Sequence, residues 1–311
     1  MLENKKILVT GATGGVAKTI STFLAERNEV WGAARFTNPA AKAELEAAGI
    51  KTFRWALGSD EFDGLPVDFD YVVHAAATIY PVKDDFDASI RENAEGSALL
   101  MRHVCDARAF LFISSLAVYA ATDDKSYRKA EDFQLGQHKR FAPTYSIGKI
   151  ATEAVVRSLA RVYNLPCTIG RLGMNYGIGC PGVVDELIKG VISGKPFTVP
   201  PRGLVYCGLV NNSDIIDQLE TFLNVAKVST EIINWIGDEP VEYRDIVDYV
   251  SELTGIQPEL VEQPTAGPTG GGGDPKKRIS ITGPCRQDWK AHVRDIIRVD
   301  FPQFAKAGVA G

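Results

Sequence analysis

Tyr145 and Lys149 stand four residues apart at the start of TYSIGKIATEAVVRSLARVY, residues 144–163. Ile150, Ala154, Val155, Leu159 and Val162 recur at three- and four-residue steps, which predicts a helix with Tyr145 and Lys149 on one face. A phenol titrates near ~10 and is a poor base at neutral pH; bringing it near ~7 takes roughly 4 kcal/mol. One positive charge at ~4 Å contributes about that much at an effective dielectric near ~20, so Lys149 is placed to supply it. Alone, the pair reads equally well as a half-buried tyrosine beside a solvated lysine.

A second stretch carries chemistry of its own. VTGATGGVA, Val9–Ala17, has the spacing Gly11-x-x-Gly14-x-x-Ala17. It lies between the apolar run KILVT and the helical stripe of Val16, Ala17, Ile20, Phe23 and Leu24. Gly11 permits a tight turn, Gly14 lets backbone amides approach a pyrophosphate, and small Ala17 lets the helix pack close. Thr13, Gly15 and Val16 complete the turn and the helix start that would face the anion. This predicts a dinucleotide site. The next strand, EVWGAA, ends in Ala34-Arg35, where an NAD site usually has an acid for the ribose 2′-hydroxyl. An arginine suits a 2′-phosphate, so NADP is expected, with NAD possible.

These residues need a scaffold, and the first two-thirds of the chain alternates strand-like and helix-like segments. Strands are expected at 6–10, 29–34, 51–55, 71–74, 110–114 and 167–172, and helices at 39–49, 89–107 and 145–163. The alternation predicts an α/β fold with a parallel sheet covered by helices on both faces. Beyond Gly177 the pattern loosens, with helices expected at 183–192, 213–225, 243–253 and 289–297 and a strand at 232–236. The expected division is a nucleotide-binding domain over 1–176 and a mainly substrate-binding part over 177–311, with segments such as 206–236 returning to the main sheet. Residues 121–140 mix both charge signs and read as a solvated flap. TAGPTGGGGDP, residues 265–275, reads as a flexible loop and not a phosphate cradle, because no helical pattern opens after it.

Composition narrows the classes. With 311 residues, 45% hydrophobic and 23% charged, the chain is ordinary for a globular enzyme. A net charge of −5 gives no footprint for nucleic acid. No apolar run is long enough to span a membrane, and the apolar stretch near the N-terminus is too short for a secretory leader. Five dispersed cysteines without C-x-x-C read as reduced thiols, so a cytoplasmic protein without a metal site is expected.

Six motifs in order resemble the extended short-chain dehydrogenase/reductases, which include NAD-dependent epimerase/dehydratase proteins: TGATGGVA, DYVVHAAA (70–77), NAEGS (93–97), FISSLAVY (112–119), YSIGK and GRLGMNYG (170–177). The resemblance implies a Rossmann-like doubly wound sheet with a smaller C-terminal α/β part. It implies that Tyr145 donates or accepts the proton, that Lys149 is its charged neighbour and binds nicotinamide ribose, and that Ser115 hydrogen-bonds the substrate oxygen. Asn93 would lie near the nicotinamide, and His74, Ala75, Ala76 and Ala77 would line the cofactor where strand order reverses. Leu57, in the adenine-pocket segment, and Leu172 complete the expected cofactor contacts. A homodimer through helices 89–107 and 145–163 is also implied.

Departures from the family pattern narrow the substrate. Leu116 and Ala117 stand where dehydratases carry Asp-Glu, Met174 where nucleotide-sugar enzymes carry Asn, and Cys207 where they carry Arg. Ala56 replaces an acid beside Leu57. The expected activity is therefore NADP-dependent interconversion of a carbonyl and a secondary alcohol on a small or medium organic molecule in an apolar pocket. The alternatives are a nucleotide-sugar 4-epimerase with tightly held NAD and a non-enzymatic NADP-binding sensor. Substrate contacts are expected from 79–87, 121–140 and 177–206.

Overall fold

The computed structural model describes residues 2–136, 142–267 and 272–306. In chain order the elements begin β1 (Lys6–Thr10), α1 (Gly15–Ala25), β2 (Glu29–Ala34), α2 (Pro39–Ala47), β3 (Lys51–Arg54), β4 (Tyr71–His74) and α3 (Phe86–Ile90). A π-helical turn (Arg91–Glu95) joins α3 to α4 (Gly96–His103). There follow β5 (Ala109–Ser115), α5 (Tyr145–Tyr163), β6 (Cys167–Leu172), β7 (Met174–Tyr176), α6 (Val183–Ile192), β8 (Phe197–Val199), β9 (Tyr206–Cys207) and β10 (Leu209–Asn211). The chain continues through α7 (Asn212–Asn224), β11 (Glu231–Trp235), β12 (Val241–Glu242), α8 (Tyr243–Thr254), β13 (Leu260–Glu262), α9 (Lys276–Thr282) and α10 (Trp289–Asp300).

Seven strands form one sheet in the order β11-β6-β5-β4-β1-β2-β3, with parallel registers joining β1 to β2 and β4, β2 to β3, and β4 to β5. This is the expected doubly wound Rossmann-like fold. The chain runs outward from β1 to β3 and then returns to the other side of β1 at β4. The order reverses between β1 and β4, and a crevice opens there at the strands' carboxyl ends. Both faces of β1 and β4 are covered, so Ile7, Leu8, Val9, Val72 and Val73 are fully buried and read as continuous apolar runs.

Two compact units divide the chain. The first comprises residues 1–120, 134–171 and 216–233; the second comprises 121–133, 172–215 and 234–311. The first has a core of Leu8, Val72, Phe110, Phe112, Val156 and Ile169 among others. The second packs α6, α8 and α10 through Leu187, Ile188, Ile246, Val250, Val293 and Ile296.

Three expectations are corrected. The helix expected at 89–107 runs from Phe86 to His103 and contains a π turn at Arg91–Glu95, from which the Asn93 side chain reaches Thr78. Segment 121–133 is largely exposed but anchored at one point: Lys129 is 2% exposed, its backbone pairs with Gly272 and Asp274, and Asn234 Nδ2 donates to its carbonyl at 2.9 Å. Residues 137–140 of that segment lie outside the described residues, as do 268–271 of the glycine loop. A helix does open directly after that loop: α9 follows Pro275. Its seven residues carry three charged groups and no apolar stripe long enough to register.

Candidate active site

The turn after β1 is fixed by backbone alone. Gly11 has φ +71°, and a Cβ there would lie 2.9 Å from the backbone of Ala76. The Gly11 amide donates to the Ala33 carbonyl at 2.8 Å and Gly14 donates to Gly11 at 2.8 Å. Gly14 is the N-cap of α1, so the amides of Gly15, Val16 and Ala17 open the helix without intrahelical acceptors. Thr13, Gly14 and Gly15 are exposed and Ala17 is buried. This cradle, open to an anion at a helix N-terminus, fits a dinucleotide pyrophosphate. Ala34 is buried at the end of β2, and Arg35 beyond it is exposed. Leu57 is half-buried against the first unit's core.

Beyond β4, the half-buried segment Ala75–Ala77 lies against Gly11 and is held by a buried relay. The Ala76 amide donates to Thr10 Oγ1 at 3.2 Å, and Thr10 Oγ1 meets His74 Nδ1 at 2.7 Å. His74 Nε2 meets Ser97 Oγ at 2.8 Å, and Ser97 Oγ donates to the Asn93 carbonyl at 2.5 Å. Since the serine proton goes to that carbonyl, His74 Nε2 carries a proton and Nδ1 accepts from Thr10. Burial, then the charge of Lys149, push the imidazole down to about 3, so His74 is neutral. The Asn93 side chain pins the same segment: Oδ1 accepts from the Thr78 amide at 2.9 Å, and Nδ2 donates to the carbonyls of Thr78 and Ser89. His74 therefore does not line the crevice; it is fully buried, with both ring nitrogens bonded.

Ser115, Tyr145 and Lys149 come together where β5 meets α5. Gly148 allows the approach of α5 to α3, since a Cβ there would lie 2.8 Å from Ser89 Oγ. Ser115 is hydrogen-bonded with Tyr145 and accepts from the Ala117 amide at 3.1 Å. Lys149 Nζ donates to the Ile113 carbonyl at 2.8 Å and lies 4.8 Å from the centre of the Phe112 ring. The electrostatics differ from the sequence expectation. Burial raises the half-buried Tyr145 phenol above its usual value, and the bond with Ser115 opposes this only in part. Burial likewise lowers Lys149 to about 8, against the opposing pull of Glu153.

One turn beyond Lys149, Glu153 is 2% exposed. It accepts both Arg171 Nε at 3.0 Å and Arg171 Nη2 at 2.7 Å, and Ser114 Oγ at 2.6 Å. Arg171 Nη1 also donates to the Tyr119 hydroxyl at 3.0 Å. Sequence reasoning missed Glu153 and Arg171. The signals were a glutamate four residues after Lys149 and a lone charge inside the buried strand CTIGRL. Leu172, 9% exposed, ends β6 and belongs to the second unit.

The second unit holds a cavity of about 350 Å³. Its walls include Asn211, Asp214, Arg286, Gln287 and Asp288 beside Leu209 and Trp289. The Arg286 amide donates to Asp214 Oδ1 at 3.2 Å. The wall is thus mixed, with Tyr176, Leu209, Val210, Val241 and Trp289 beside the polar groups. Cys207 is fully buried, and the cavity draws on 209–214 and 285–289, beyond the expected segments. Among the described residues, no group of three or more His, Cys, Asp or Glu is placed to hold a metal, and no helix is long and apolar enough to cross a membrane.

A doubly wound sheet with a glycine cradle at its switch point and a Ser–Tyr–Lys set beside β5 defines a nicotinamide-dependent enzyme class. The NAD dependent epimerase/dehydratase family model matches residues 7–234, and the chain belongs to that family. Comparison with curated proteins found no match. Among solved structures, the chain is similar to MoeE5 in complex with UDP-glucose and NAD, at 21% identity and TM-score 0.79, covering 96% of this chain and 100% of that one. It is also similar to UDP-glucuronic acid 4-epimerase from Bacillus cereus with UDP-glucuronic acid and NAD (21%, 0.79, 94% and 99%). A third is UDP-N-acetylglucosamine 4-epimerase from Methanobrevibacter ruminantium M1 in complex with UDP-N-acetylmuramic acid (15%, 0.81, 97% and 100%). At these identities the likeness is one of fold.

Proposed function

We propose that the chain oxidises and re-reduces a secondary hydroxyl of a nucleotide-linked sugar, in the manner of a 4-epimerase that retains its nicotinamide cofactor. The observation that carries the chemistry is the hydrogen bond between Ser115 and Tyr145, with Lys149 one turn on. The nucleotide-sugar reading is supported by structures of like fold over nearly the whole chain, which hold UDP-sugars and NAD.

Gly11, Gly14 and the first amides of α1 would hold the pyrophosphate, with Thr13 and Val16 beside it, and Ala75–Ala77 would form the floor. The nicotinamide, when bound, accepts hydride from a carbinol carbon and can return it. Tyr145 takes the hydroxyl proton and gives it back, Ser115 holds the oxygen, and Lys149 presents its ammonium to the ribose hydroxyls. Asn93 keeps the floor in place through Thr78.

The sequence also supports a second reading, NADP-dependent carbonyl reduction, because Arg35 follows the position of the usual acid and Met174 and Cys207 replace polar contacts. One experiment separates the two: nicotinamide extracted from the purified protein is identified, and UDP-glucose, UDP-glucuronic acid and a panel of ketones and aldehydes are assayed. Retained cofactor with interconversion of UDP-sugar epimers supports the first reading. Net consumption of NADPH on a simple carbonyl, without UDP-sugar turnover, overturns it.

A further inference from the structure

The end of β5 is bonded to α5 at three successive strand residues. Ile113 accepts from Lys149, Ser114 donates to Glu153, and Ser115 bonds Tyr145. The three helix residues are spaced by four and so lie on one face. Two of these contacts hold groups already assigned to the chemistry. The third holds a carboxylate that the mechanism does not use, gripped from β6 by both nitrogens of the Arg171 fork. A buried carboxylate is costly unless paired, and here both oxygens are bonded. Arg171 satisfies Glu153 and fixes its place; Ser114 ties it to the strand that carries Ser115.

We propose that Glu153 is a positioning residue that keeps the Lys149 ammonium charged and seated at the carboxyl end of β5, with Arg171 as its anchor. This rests on the assignment of Tyr145 and Lys149 under the proposed function. Lys149 is 6% exposed, and few other groups bear on it. On its own helix these are Tyr145 and Glu153; from β4 comes His74, neutral and bonded at both nitrogens. Tyr119, after β5, reaches Arg171 and not Lys149. On the helices packed against α5, Asp87, Arg91, Glu95 and Arg102 are exposed and Glu92 is half-buried. Glu153 is thus the buried negative charge acting on Lys149, one helical turn away.

The test reads Lys149 directly, in cofactor-free protein, by the ¹³Cε shift of labelled lysine against pH. Glu153→Gln should lower the protonation constant of Lys149 at least ~10-fold, the scale of one lost charge nearby. It should also move the alkaline limb of kcat/KM to lower pH. Because a lone buried Arg171 can unfold the variant, the double variant Glu153→Gln/Arg171→Met removes both charges while keeping the volume, and a smaller fall, still more than about twofold, is expected in it, since the more distant guanidinium offsets only part of the lost carboxylate. A protonation constant within about twofold of the parent in a folded variant, with or without lost turnover, overturns the proposal. A fallen constant in a protein that turns over no nucleotide sugar upholds it and removes the functional reading instead.

Discussion

At the residue scale, Tyr145 works against its surroundings. Its phenol is raised by burial, and Lys149 is turned to the Ile113 carbonyl, so the phenol holds its proton at neutral pH. Tyr145→Phe should leave cofactor affinity nearly intact and lower kcat at least ~100-fold, the scale of a positioned acid–base group, as read by single-turnover kinetics. Lys149 makes a pH-dependent contribution to stability. Its folded value of about 8 lies below the ordinary 10.5. The unfolded chain therefore holds this proton to higher pH, and folding carries a penalty that is complete below about 8 and fades towards 10.5. In urea unfolding, the parent should gain on the order of 2 kcal/mol relative to Lys149→Met between pH 7 and pH 10. Arg35 is the residue on which a preference between the two cofactors would be tested. If it receives a 2′-phosphate, NADPH binds more tightly than NADH and Arg35→Ala erases most of the difference; equal dissociation constants in the parent would make it a surface charge.

At the element scale, the β1–α1 turn is the least tolerant part of the cradle. Gly11→Ala combines a left-handed φ with a Cβ 2.9 Å from backbone that cannot move aside. It should cost about 2–3 kcal/mol of stability and weaken dinucleotide binding, measured by urea unfolding and by titration. This turn was legible in the sequence because strand, glycines and helix follow one another within twelve residues, Lys6–Ala17. So was α6, whose apolar stripe is uninterrupted; α5 was legible too, although the face it buries carries Ser146, Lys149, Thr152 and Glu153. The π turn was not, because the apolar pattern of α3 and α4 runs through it and only the bonds of Asn93 to Thr78 reveal it. Strands such as β9 and β12 are two residues long, too short to show a period of two. The relay joins residues 64 and 23 apart, and no local spacing carries it.

At the scale of the whole molecule, the family and the doubly wound sheet were legible in the sequence, whereas the cavity of the second unit was not, because residues of 209–214, 237–241 and 285–289 are brought together from distant segments. Isothermal titration with UDP-glucose should give binding in the micromolar range or tighter, and none would return the simple-carbonyl reading to the front. Tyr80, Phe86 and Ile90 are exposed near α3, and Val162 on α5 is 69% exposed. We expect these helices to pair two copies of the chain. Light scattering should then give the mass of a dimer, and charged substitutions at Phe86 and Val162 together should shift it to that of a monomer.

The relay beneath the cradle is an insulator. It begins at an amide that can only give a hydrogen bond and ends at a carbonyl that can only receive one. No proton can enter at the first or leave at the second, so two hydroxyls and an imidazole in line conduct nothing. What it transmits is position: the Ala76 amide and the Asn93 carbonyl are held at a fixed separation across the switch point.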